Sequence, residues 1–124
     1  MKQKGIRFEA PKNFDDCIKI IAFQNNTYVG YANLTRSNNT ATLADIYITN
    51  HSKTILKIFK VRQSFRNQGI GTQLLNHVLS YCKSQGITKI EGVAKGNLEE
   101  LKTWYGKHGF TIHDNNNISQ EIRQ

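Results

Sequence analysis

The chain is poor in cysteine, proline and acid, and it has no long apolar run. Cysteine occurs only at Cys17 and Cys82, with no metal-ligand spacing. That sets aside a metal site built on cysteines and reads as two reduced thiols in a cytoplasmic protein. The single proline, Pro11, ends the first β-like piece. The longest apolar patch, Cys17 to Phe23, carries Lys19 and is far too short to span a bilayer. No apolar run stands behind Met1-Lys2-Gln3-Lys4, so no signal peptide is expected. Acids number 9 against 17 Lys and Arg, a net charge of +8. Such an excess points to a polyanionic partner. Nucleic acid is the first class to consider, but the basic residues are scattered rather than striped, so it is not the expected partner. A length of 124 residues suits one domain, residues 1–124, burying roughly 65% of its unfolded surface.

What is present reads as short strands followed by two helices. Ile6 to Ala10 is β-like, and Asn13-Phe14-Asp15-Asp16 has the residues to open a short helix. Ile18 to Gln24 and Tyr28 to Thr35 read as strands around the Asn25-Asn26 turn, with Gly30 marking a bulge or a close backbone contact. After Ser37-Asn38-Asn39, Ala41 to Thr49 alternates: Ala41, Leu43, Asp45 and Tyr47 on one side, Thr42, Ala44, Ile46 and Ile48 on the other. A turn at Asn50-His51-Ser52 leads to a strand from Ile55 to Val61, completing an antiparallel meander. The first amphipathic helix carries Leu74, Leu75, Val78, Leu79 and Cys82 on one side and ends near Gln85-Gly86. Ile87 to Ala94 is the next strand, and a crossover of this length predicts that it runs parallel to Ile55–Val61. A second helix opens at Gly96-Asn97, with Asn97 and Glu100 at capping-box spacing. It carries Leu98, Leu101, Trp104, Tyr105 and His108 and stops at Gly109. His108 reads as a cation at the helix end. A hairpin, Phe110 to His113 and Ile118 to Arg123, closes the chain.

Between the strand and the first helix lies Arg66-Asn67-Gln68-Gly69-Ile70-Gly71. Glycine lets the backbone turn and a ligand approach, and a helix start offers unpaired N–H groups with a positive dipole end. Together they form an anion site. The ATP/GTP loop is excluded because no Lys-Ser or Lys-Thr follows Gly71. The dinucleotide fingerprint is excluded because Leu74 stands where a third glycine or alanine belongs. What remains, R-x-x-G-x-G between strand and helix, resembles the pyrophosphate loop of the GNAT superfamily of N-acetyltransferases, which bind acetyl-CoA. Its plain structural alternative is a tight turn with a helix cap. Trp104-Tyr105-Gly106-Lys107-His108-Gly109-Phe110 is similar to the family's aromatic-Tyr-x-x-x-Gly-Phe element, and the two motifs follow in the family's order. One departure is that Asn97 stands eight residues before Tyr105, where the family usually has seven.

The resemblance, which covers about residues 41 to 123, implies an α+β GNAT-like domain. Its mixed, mostly antiparallel sheet carries two principal helices and a parallel pair around the cofactor. The cofactor implied is acetyl-CoA, with no metal. The Arg66–Thr72 loop, namely Arg66, Asn67, Gln68, Gly69, Ile70, Gly71 and Thr72, would hold the pyrophosphate, with Arg66 as a cationic contact. Phe59, Lys60 and Val61 would pair with the pantetheine arm as an added strand. That arm would enter a gap between Ile55–Val61 and Ile87–Ala94. Asn97 is a further cofactor contact or only a helix cap. Tyr105 is the candidate acid. A phenol titrates near pH 10 and a thiol near 8.5, so hydrogen bonding to the developing thiolate suits it better than full proton transfer. Asp45, Glu91 and His51 remain open as the base, beside deprotonation through water.

The function implied is acetyl transfer from acetyl-CoA to an amine that the sequence does not identify. The alternative is a degenerate acyl-CoA-binding sensor or interaction module. Only about Pro11 to Cys17 stands where family members place the helices that wall the acceptor site. Two turns of helix, about 10 Å, cannot cover a cleft. Either the pocket is open, which suits a protein or peptide acceptor, or a second chain covers it; a homodimer is the expectation, with Tyr28, Tyr31 and Tyr47 available to the contact.

Overall fold

The computed structural model describes residues 6–49, 55–57, 69–94 and 98–123. The strands are β1 (Ile6–Glu9), β2 (Cys17–Gln24), β3 (Thr27–Ser37), β4 (Thr40–Thr49), β5 (Ile55–Lys57), β6 (Lys89–Val93), β7 (Thr111–Ile112) and β8 (Asn117–Glu121). The helices are α1 (Ile70–Ser84), between β5 and β6, and α2 (Leu98–Lys107), between β6 and β7. One sheet runs β1-β2-β3-β4-β6-β8-β7, with β5 attached to β4 off that path. Among the described residues no helix is long and apolar enough to cross a membrane.

The β2–β3 turn is written in its residues. Asn25 and Asn26 both take positive φ, 55° and 67°, the geometry of a two-residue hairpin turn that follows strand twist. Gly30 sits where a Cβ would stand 2.4 Å from the Tyr47 carbonyl oxygen, so it marks a close backbone approach. The alternation predicted for β4 breaks in the middle. Asn33 pairs with Asp45 but Leu34 pairs with Leu43, which leaves Ala44 as an extra residue. A bulge shifts the pleat by one and moves every later side chain to the other face. Ala41 and Leu43 therefore share the buried face with Ile46 and Ile48, while Asp45 and Tyr47 point away from it.

The parallel pair also differs from expectation. β4 supplies it, with Thr40–Leu43 beside Lys89–Gly92. Residues 55–57 pair antiparallel with Thr49–Tyr47 and so run opposite to β6. The crossover rule holds for β4 and β6; the residues assigned to it from sequence were too late in the chain. Residues 58–61, the rest of the strand expected there, lie outside the described residues.

The buried face is formed by Ile20, Ala22, Ala32, Leu34, Ile46, Ile48 and Ile90. Onto it α1 packs Leu74, Leu75, Val78 and Cys82, all fully buried. Each such leucine contributes about 1.5–3 kcal/mol by leaving water, and Leu75→Ala would cost about 2–5 kcal/mol.

Pro11 to Asp16 forms no helix. It is a strap pinned by side chains of other elements. Tyr81 Oη donates to the Pro11 carbonyl (2.9 Å) and Gln85 Nε2 to the Lys12 carbonyl (3.0 Å). Phe14 N donates to Gln85 Oε1 (3.0 Å) and Arg36 Nη1 to the Phe14 carbonyl (2.8 Å). The Phe14 ring is buried against Tyr81. These partners satisfy the backbone without helical bonds, and a six-residue helix would not repay its own nucleation.

Both helices stop the same way. After α1, Gly86 (φ 80°) donates to the Lys83 carbonyl and Ile87 to the Cys82 carbonyl. After α2, Gly109 (φ 92°) donates to the Gly106 carbonyl and Phe110 to the Tyr105 carbonyl. This is the Schellman motif, with an apolar contact between its outer residues. The Tyr105 and Phe110 rings meet edge-on at 5.4 Å. The Tyr-x-x-x-Gly-Phe spacing is thus the spacing of a helix stop, and it holds the Tyr105 ring in place.

Candidate functional site

The first element of the site is the start of α1. Gly69 precedes the helix at φ 69°, with no side-chain cap and no acid in the first turn. The first helical bond runs from Gln73 N to the Gly69 carbonyl (3.0 Å). The N–H groups of Ile70, Gly71 and Thr72 come before it and lie at the positive end of the helix dipole. A Cβ on Gly69 would have no atom within 4 Å among the described residues, so the approach is open. These features fit an anion such as a pyrophosphate. Arg66, Asn67 and Gln68 lie outside the described residues, as do Phe59, Lys60, Val61, His51 and Asn97.

The end of α2 meets the start of α1. His108 Nε2 stands 3.4 Å from Thr72 Oγ1. His108 is not the helix-end cation that the sequence suggested. Burial and the neighbouring Lys107 charge lower its pKa below the ordinary histidine value, so it is a neutral imidazole near pH 7.

The second element is the opening beside the β4 bulge. On the edge of β4 that faces β6, residues 40–43 pair with β6 and residues 47–49 with β5. Among the described residues Ala44, Asp45 and Ile46 have no strand partner on that edge. Tyr105, held by the α2 stop, is 3% exposed. Its pKa is raised, by burial first and by the Asp45 charge second. The Asp45 charge thus reaches Tyr105, and Asp45 itself is exposed on the open face. Its Oδ2 accepts a hydrogen bond from Tyr31 Oη (3.1 Å). Tyr31 packs on Tyr47 at 5.1 Å, and the Lys19 ammonium stands 4.5 Å from the Tyr31 ring centroid. Tyr28, 39% exposed, completes the group; burial, then Tyr31 and Tyr47, push its pKa up to about 12. Tyr31 and Tyr47 are half-buried in this cluster rather than standing singly on the surface.

Glu91 is placed elsewhere. It lines a pocket of about 350 Å³ with Thr42, Lys89, His113, Asn117 and Ser119. There it pairs with Lys89 at 3.8 Å, and His113 Nε2 stands 2.7 Å from Ser119 Oγ. The sequence reading gave Lys19 and His113 no role and named Tyr31 only for a subunit contact. Tyr31 was legible only as a cross-strand partner of Tyr47, and its bond to Asp45 depends on the bulge. Cys17 and Cys82 are free thiols, and burial pushes Cys82 up to about 12. Among the described residues no His, Cys, Asp and Glu cluster could hold a metal ion.

Comparison with known proteins addresses the family and the fold. The family model described as Acetyltransferase (GNAT) family matches residues 3–110. A search of curated proteins found no match. Among solved structures, the chain is similar to the PaiA N-acetyltransferase of Thermoplasma acidophilum in complex with coenzyme A. The TM-score is 0.64 at 21% identity, covering 86% of this chain and 61% of that one. It is similar to an IAA acetyltransferase of Bacillus cereus, with TM-score 0.67 and 18% identity over 86% of this chain and 78% of that one. It is also similar to the ribosomal-protein-S18-alanine N-acetyltransferase of Escherichia coli, with TM-score 0.67 and 14% identity over 89% and 72%. The chain thus spans less than two thirds of the Thermoplasma protein's length. At these identities the structures share its fold, and the family model decides membership: the chain belongs to the GNAT acetyltransferase family.

Proposed function

We propose that this chain is an acetyl-CoA-dependent N-acetyltransferase acting on an amine by direct attack. The observation that carries the reading is the β4 bulge at Ala44, which leaves Ala44–Ile46 unpaired among the described residues on the edge facing β6, as in a sheet prepared to take an added strand. The coenzyme supplies an acetyl group already activated as a thioester. The amides of Gly69, Ile70, Gly71 and Thr72, with the Arg66–Gln68 part of the loop, hold its pyrophosphate. The edge of β4 at Ala44–Ile46, unpaired among the described residues, takes the amide-bearing arm as an added strand.

Tyr105 keeps its proton throughout the physiological range, because its pKa is raised. It therefore donates a hydrogen bond where thiolate charge develops. Asp45 is the carboxylate whose charge bears on Tyr105, and it draws the acceptor's proton off through water; Glu91 lines a pocket with Lys89 and His113. The strap at residues 11–16 contains no helix, so a second copy of the chain supplies the missing wall of the acceptor site. A cytoplasmic location suits free thiols and a soluble coenzyme.

The test is thiol release from acetyl-CoA across a panel of amines, polyamines, aminoglycosides and peptides, run beside Gly71→Val. At least one amine is expected to accelerate release in the parent chain. Gly71→Val is expected to lose CoA affinity while still folding. Unchanged CoA affinity in that variant would remove the loop assignment, and no amine-dependent release would remove the activity.

A further inference from the structure

Resting on the acetyl-transfer reading, we propose that the acceptor is a small aliphatic ammonium, received by the Tyr31–Tyr47–Asp45 corner of the open sheet face. Three observations converge there. Asp45 is exposed and, among the described residues, makes no ion pair; its bond from Tyr31 Oη (3.1 Å) fixes its orientation. Tyrosines form a wall beside it, with the Tyr31 and Tyr47 rings 5.1 Å apart as cross-strand partners. This wall already holds a cation, for Lys19 Nζ stands 4.5 Å from the Tyr31 centroid.

A tyrosine face attracts ammonium through its quadrupole, and a carboxylate without a cationic partner adds charge attraction. Arylamines are largely uncharged at neutral pH and gain neither. The net charge of +8 disfavours polycations at long range, which points to a single ammonium on a small body. Asp45 belongs to the corner and its charge also bears on Tyr105, which ties the corner to the proposed chemistry. Lys19 shares the aromatic face and competes for it.

The test uses choline, a cation that cannot be N-acetylated, and its uncharged carbon isostere dimethylbutanol. Binding is followed by NMR shifts of the tyrosine rings. Saturable choline binding is expected, with the isostere weaker by roughly 3- to 30-fold, the span of a cation–π contact. Tyr31→Leu and Asp45→Asn are expected to weaken choline several-fold. Tyr31→Phe keeps a ring face and retains most of the binding, and Lys19→Met removes the competitor and tightens it. Equal binding of choline and the isostere, or an indifferent Tyr31→Leu, overturns the proposal. Thiol release with aliphatic amines and with aniline is scored separately. A chain that acetylates aniline as well as alkylamines loses this inference and keeps acetyl transfer. A chain that binds choline but acetylates nothing keeps a cation site and loses acetyl transfer.

Discussion

Replacing Tyr105 by Phe separates chemistry from packing. The ring is 3% exposed and sits edge-on to Trp104 at 5.0 Å and to Phe110 at 5.4 Å. Phe preserves those contacts. Among the described residues the hydroxyl makes no hydrogen bond, so its removal is expected to cost stability less than about 1 kcal/mol. If the hydroxyl hydrogen-bonds the departing sulfur as an acid would, turnover falls by roughly 10²–10⁴. That is about 2.7–5.5 kcal/mol of barrier, well above the stability change. Tyr105→Ala would confuse the two, because a cavity there costs about 3–5 kcal/mol. The measurements are kcat by thiol release, CoA affinity by calorimetry and the melting temperature. Turnover is expected to collapse while the other two hold. Because burial and Asp45 both raise the Tyr105 pKa, it contributes no alkaline fall in rate below about pH 10. A folded Tyr105→Phe protein with less than a twofold loss of kcat would refute the assignment and leave Tyr105 as a core residue.

Gly109→Ala forces an L side chain to φ 92° and brings its Cβ within 3.2 Å of Gln120 Oε1. It is expected to cost about 1–2 kcal/mol and lower the melting temperature by several degrees. Gly106→Ala, which meets open space inside α2, is expected to be neutral or stabilising. Cys82 titrates higher in the folded chain, at about 12, than in the unfolded one. Above about pH 9 the unfolded state loses this proton first, so stability is intact below that pH and falls by about 1.4 kcal/mol per unit as pH rises towards 12. Denaturant unfolding of the parent and of Cys82→Ala across that window should show a shallower slope in the variant, and equal slopes would discard the cause. Light scattering at micromolar concentration is expected to give twice 14.2 kDa; a clean species of 14.2 kDa removes the dimer and leaves an open cleft.

The sequence alone determined the order of the strands and of the two principal helices, both helix stops, the turns at Asn25-Asn26 and Asn38-Asn39, and the two motifs that mark the family. All of these are local: an Asn pair at positive φ or an apolar-x-x-x-Gly-apolar helix end depends on residues within one turn of each other. It also narrowed the bases to a short set that included Asp45. The tertiary structure decided which strand lies parallel to β6, which face Asp45 presents, and that Pro11–Asp16 is a strap rather than a helix. It lowered the His108 pKa, set Glu91 in a pocket with Lys89 and His113, and gathered Tyr31, Tyr47 and Lys19 at Asp45. Each of these rests on a contact between distant segments. The single extra residue at Ala44 carries most of the difference: it leaves composition and spacing unchanged, but it reverses the pleat and turns Asp45 out of the core.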